Sequence, residues 1–141
     1  NLVEGELLQF ESVAFERAIE LKSNVDEGIA VQGSIERLRR LVTTLLDNAC
    51  KYAGDNGKVR VELHVQDGGA RFAVHNTGSL IPAEDLQHVF DRFYRADKAG
   101  AGGFGLGLSI AKEVAEEHGG TITAKSSDEE GTTFTATLPT A

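Results

Sequence analysis

The sequence predicts an α+β two-layer sandwich, one mixed β-sheet with helices packed on a single face. Three observations predict it. Two long segments place apolar residues every three or four positions, two pairs of alternating segments are joined by short glycine-containing turns, and the helical and strand patterns interleave. At 141 residues, with 40% hydrophobic and 26% charged content, the chain suits one domain with a core of ordinary size.

The elements follow in order. Residues 1 to about 17, with Leu7, Leu8, Phe10, Val13, Ala14 and Phe15 among glutamates, suit a helix with a modest apolar stripe. IELKSNV and IAV, separated by DEG, read as two short strands. Leu38, Leu41, Val42, Leu45, Leu46 and Ala49 form one face of the clearest helix, which starts near Ser34 and ends past Ala53 at GDNG. Val59, Val61, Leu63 and Val65 alternate with polar residues, and DGG turns the chain into RFAVHN, a hairpin. Pro82 opens a short helix towards Phe90, after which DRFYRADKAGAGG has no period. A second long helix runs from Leu106 to about His118, with Leu106, Ile110, Ala111, Val114 and Ala115 inward, and HGG stops it. TITAKSS, the turn EEG and TTFTATLP close the domain as a second hairpin.

Composition narrows the function. A net charge of −8 argues against nucleic acid as a partner, because phosphate backbones need a basic footprint. The single Cys50 excludes an internal disulfide, and four scattered histidines do not support zinc. No apolar run approaches the ~20 residues of a membrane helix. The chain lacks methionine and is expected to be a domain of a longer protein, with residues 1–6 the remnant of a linker.

Three places could carry chemistry. On the first long amphipathic helix, Thr44, Asn48, Lys51 and Tyr52 fall at i, i+4, i+7 and i+8 as a polar stripe. This is either a solvated face or a site where the Asn48 oxygen holds a hard cation and Lys51 meets a phosphate. The loop GAGGFGLGLSI holds Gly100, Gly102 and Gly105 at GxGxxG spacing, but RADKA before it forms no strand, so the dinucleotide reading fails on context. Gly103, Gly105 and Gly107 at a helix start leave bare amides for an anion, and the alternative is a plain surface loop. Asn76, ending a strand before Gly78 and Ile81-Pro82, is either a turn residue or an amide presented to a base edge.

The order of these features resembles the catalytic and ATP-binding domain of bacterial sensor histidine kinases, in the GHKL superfamily shared with gyrase and the mismatch-repair MutL proteins. LLDNACKYA matches the N box, HNTGSLIP the first glycine box, VFDRFYRAD the F box and GGFGLGLSIAKEVAEEHGG the second glycine box; GTTFTATLP resembles the final strand. The resemblance implies the Bergerat-type ATP-binding fold, with ATP and magnesium as ligands. It implies that Asn48 binds magnesium, Lys51 and Arg95 meet phosphate, and Tyr52, Gly78, Ile81 and Thr132 line the nucleotide pocket. It places Asn76 at the adenine-reading position, with Gly103, Gly105, Leu106 and Gly107 in the lid. The γ-phosphate would pass to a histidine on a separate dimerisation and phosphoacceptor domain, and from there to a response regulator. No SHELRTP-like segment occurs here, so the acceptor lies outside this chain. The implied setting is a cytoplasmic domain of a protein in the bacterial inner or plasma membrane.

Three departures qualify the match. Asn76 stands where the family usually has Asp, Leu80 where a second glycine is common, and Thr44 where another Asn often stands. An amide can still accept a hydrogen bond, so re-tuned adenine reading is expected, strengthened by Asn76→Asp. These departures motivate a second reading, a nucleotide-binding regulatory module with little kinase activity. A third, an anti-sigma serine kinase of the same superfamily, fits less well, since such proteins generally lack the paired FxRFYR and GLGLSI motifs.

Overall fold

The computed structural model describes residues 2–26, 29, 31, 33–53, 56–78, 86, 88–91, 107–127 and 131–140. Its elements are α1 (Leu2–Glu16), β1 (Glu20–Val25), α2 (Ile35–Ala53), β2 (Lys58–Gln66), β3 (Gly69–Asn76), α3 (Gly107–Glu117), β4 (Thr121–Ser127) and β5 (Gly131–Pro139). The strands form one five-stranded sheet in the order β1-β2-β3-β5-β4. β1 runs parallel to β2 and the other neighbours pair antiparallel, so the sheet is mixed as the sequence predicts.

The first strand departs from expectation. IELKSNV supplies β1, but Ile29 and Val31 carry no strand, and Ala30 lies outside the described residues. β1 instead pairs with β2 across α2, a crossover that parallel strands require. The short helix expected from Pro82 falls largely outside the described residues. Residues 2–6, expected to belong to a linker remnant, form the first turns of α1; Val3 is buried there, and Glu6 meets Arg39 Nε at 3.1 Å.

Alternation sorts each strand onto two faces. Val59, Val61 and Leu63, Phe72 and Val74, and Phe134, Ala136 and Leu138 point into one core with Leu45, Leu46, Leu108, Ala111 and Val114 from the helices. α1 lies against β1 and α2, α2 over β2 and β3, and α3 over β4 and β5. The opposite face carries Arg60, Arg71, Thr133, Thr135 and Thr137 and no helix among the described residues. The β2–β3 turn places Asp67 at φ 53° and Gly68 at φ 76°, the double positive φ of a two-residue hairpin loop.

Two contacts fix α2. Ser34 Oγ accepts from the Arg37 backbone N–H at 3.3 Å, a cap on one of the helix's orphan donors. At the other end the Arg17 guanidinium donates to the Cys50 carbonyl at 2.8 Å, tying the end of α1 to the last turns of α2. The Cys50 side chain is buried, and desolvation first, then the Asp47 charge, push its thiol above its ordinary value against a smaller opposing pull from Arg17.

Candidate functional site

The sheet brings Asn76 and Thr132 together. They are register partners on β3 and β5, both buried, on the helix-covered face. Asn76 Nδ2 donates to the Thr77 carbonyl at 2.8 Å, while its Oδ1 is buried without a partner among the described residues. The Thr132 hydroxyl lies 2.8 Å from the Ser126 hydroxyl on β4. Beyond Asn76, Gly78 has φ 101° and passes under the carbonyls of Tyr52 and Ala53, where a Cβ would collide with backbone. A glycine there lets the strand end run directly beneath the C-terminus of α2.

α2 contributes the second half of the site. Asn48 is only 4% exposed, and its Oδ1 also has no hydrogen-bond partner among the described residues. Tyr52, one turn on, is half-buried against the core. Lys51 is largely exposed, with Nζ 3.8 Å from Asp47 Oδ2. A buried, unpaired carboxamide oxygen costs about 1–3 kcal/mol, and two of them at one end of the fold mark a place built for something other than stability.

α3 brings the third component. Arg37 near the start of α2 pairs with Glu117 at the end of α3 at 2.8 Å, and the two helices pack together, so they run in opposite directions. Gly107 lies ten residues before Glu117 and Asp47 ten residues after Arg37. At ~1.5 Å per residue both lie about 15 Å from the Arg37–Glu117 pair. The N-terminus of α3, the positive end of its dipole, therefore stands level with Asn48.

Among the residues singled out from sequence, Asn48, Lys51, Tyr52, Asn76, Gly78, Gly107 and Thr132 lie within this region. Ile81, Arg95, Gly103, Gly105 and Leu106, with Leu80, lie outside the described residues. Sequence reasoning missed Thr77 and Ser126, whose contacts with Asn76 and Thr132 depend on a turn and a cross-strand register that no motif encodes. Part of the F-box stretch is described: Val89 is buried, and Phe90 stacks edge-on against Phe134 with ring centroids 6.0 Å apart.

A mixed five-stranded sheet with helices packed on one face is the Bergerat-type architecture. Residues 33–141 match the model of the histidine kinase-, DNA gyrase B- and HSP90-like ATPase family, and the chain belongs to that family. It is 40% identical over 124 residues to the sensor histidine kinase YkoH of Bacillus subtilis, covering 86% of this chain and 27% of YkoH. It superposes on the catalytic domain of histidine kinase ThkA with a TM-score of 0.87 and 27% identity, covering 98% of this chain and 90% of that one. It also resembles full-length ShkA solved with AMPPNP, at TM-score 0.84 and 25% identity over 99% of this chain and 29% of ShkA. ThkA has been solved with the response regulator TrrA, and there the likeness has a TM-score of 0.84 at 25% identity, over 99% of this chain and 40% of that one. The chain spans about a quarter of the length of the curated relatives it matches, 27% of YkoH and 21% of WalK.

Proposed function

We propose that this chain binds ATP with magnesium and presents the γ-phosphate to a histidine on a dimerisation and phosphoacceptor domain of the same longer protein, for relay to a response regulator. The observation that carries the reading is the pair of buried amide oxygens on Asn48 and Asn76, without a hydrogen-bond partner among the described residues, in a fold of the ATPase family. ShkA with AMPPNP and ThkA with TrrA support it by likeness.

Each residue has a chemical task in this reading. Asn76 Oδ1 accepts from the adenine amino group, because its Nδ2 is already committed to Thr77. Thr132, Tyr52, Gly78 and Ile81 shape the base pocket. Lys51 leaves Asp47 to meet a phosphate, joined by Arg95, while Gly103, Gly105, Leu106 and Gly107 supply lid and backbone amides.

Magnesium fits the donor set. Asn48 Oδ1 is a hard, neutral, buried oxygen without a competing donor among the described residues. The described residues hold no cluster of three or more His, Cys, Asp or Glu, so phosphate oxygens and water would complete the coordination. When bound, the ion neutralises charge developing on the phosphates; the protein's part is positioning, since phosphoryl transfer asks little covalent chemistry of it.

In the longer protein this domain would stand on the cytoplasmic side of a bacterial membrane. No helix among the described residues is long and apolar enough to cross one. Calorimetric titration with Mg-ATP, followed by labelled-phosphate transfer to the protein's own dimerisation domain, tests the proposal. Binding followed by transfer is expected. Binding without transfer would favour the regulatory module that the Asn76 and Leu80 departures motivate.

A further inference from the structure

The ends of α2 and α3 far from Asn48 are joined by an arrangement that core packing alone does not require. Arg37 forks onto Glu117, Nε to Oε1 at 3.1 Å and Nη2 to Oε1 and Oε2 at 2.9 and 2.8 Å. His118, just past α3, adds a second tie. Its Nδ1 lies 2.8 Å from the Val114 carbonyl, and its Nε2 lies 3.3 Å from the Ser34 backbone nitrogen. A carbonyl only accepts and a backbone N–H only donates, so the ring is the Nδ1–H tautomer with its Nε2 lone pair facing Ser34. Ser34 is also the residue whose hydroxyl caps α2 through Arg37 N–H. The cap of one helix is thus bonded to the end of the other.

The joint contributes little to stability through charge. The Arg37 and Glu117 side chains are 40% and 45% exposed, and exposed ion pairs contribute little. What a bidentate fork supplies is direction, because both N–H···O bonds are kept only at one axial setting. A slip of one residue would move the far end of α3 by ~1.5 Å.

We infer that Arg37, Glu117 and His118 are positioning residues: they set the axial register of α3 against α2, and so the distance between the α3 N-terminal amides and Asn48 Oδ1. This rests on the reading that phosphates and magnesium bind between those two groups. Displacements of this size at a site that must hold two groups in fixed geometry change affinity and rate. The adenine subsite at Asn76 and Thr132 stands on β3 and β5 beneath the C-terminus of α2 and takes no residue from α3, so a shift of α3 leaves it in place.

The test compares Mg-ATP affinity by calorimetry with adenosine affinity by NMR titration, for wild type, Arg37→Gln, His118→Leu and His118→Gln. Arg37→Gln and His118→Leu are expected to weaken Mg-ATP roughly threefold to thirtyfold while adenosine stays within about twofold. His118→Gln, which keeps an acceptor for the Ser34 N–H, is expected to recover most of the loss. Unchanged Mg-ATP affinity in Arg37→Gln overturns the inference, as does a parallel loss of adenosine and Mg-ATP. If His118→Leu fails to fold, Arg37→Gln decides alone, since it removes only an exposed pair. Wild-type protein that binds neither ligand overturns the site reading and this inference with it; a binding wild type with an unaffected Arg37→Gln overturns the inference only.

Discussion

Asn48 and Asn76 each bury a carboxamide oxygen that accepts no hydrogen bond among the described residues, an arrangement selection for stability alone would remove. Asn48→Ala is therefore expected to abolish magnesium-dependent nucleotide binding while leaving unfolding free energy within about 1 kcal/mol of wild type, because the lost contacts and the removed orphan acceptor offset one another. Denaturant titration beside calorimetry checks both halves. Asn76 behaves differently, because its amide nitrogen donates to the Thr77 carbonyl. In Asn76→Asp a carboxylate that is almost fully buried would face that carbonyl oxygen, and the nucleotide-free domain should lose about 1–3 kcal/mol at neutral pH. Burial raises the pKa of such a carboxyl, so the lost stability should return as pH falls and it protonates, the reverse of ordinary acid denaturation. The tighter adenine binding expected of this variant from sequence has to offset that cost. Cys50 offers a third check. Its thiol is pushed up by desolvation, so the folded domain should react slowly with a thiol reagent at mildly alkaline pH and rapidly once unfolded, and its contribution to stability should be lost as pH rises past the ordinary thiol range.

At the scale of elements, α2 does most of the organising, and it was the most legible part of the sequence. Its apolar positions recur over nineteen residues, Leu45 and Leu46 are fully buried, and Ser34 caps it as its place before the pattern suggests. Leu45→Ala should cost about 2–5 kcal/mol by thermal or denaturant unfolding, and Ser34→Ala about 1 kcal/mol through the cap. The two hairpins were legible because their turns are local and glycine-bearing. β1 was legible as a strand but not in its pairing: its partner β2 lies on the far side of α2, and the adjacent IAV offered a nearer partner, of which Ile29 and Val31 carry no strand. The joint between α2 and α3 was hidden for the same reason. Arg37 and Glu117 lie 80 residues apart in the chain, and nothing in either neighbourhood announces the other.

At the scale of the molecule, the helices among the described residues cover one face of the sheet and gather the strand ends, the C-terminal half of α2 and the start of α3 into one place. The motif order in the sequence points to the same place, because on the proposed reading each box is a local signature of how the chain would meet a nucleotide. What the order could not supply is the geometry between boxes, namely which oxygens are left unpaired and which backbone carbonyl holds an amide in orientation. The family match and the likeness to histidine kinase catalytic domains agree with the fold the pattern predicted. The central claim is that the buried Asn48 oxygen serves a magnesium–nucleotide complex. The most direct measurement is calorimetric titration of the domain with ATP, with and without magnesium, for wild type and Asn48→Ala. The account predicts magnesium-dependent binding by wild type that Asn48→Ala loses while remaining folded; equal affinity in the two proteins, or no binding by wild type, would contradict it.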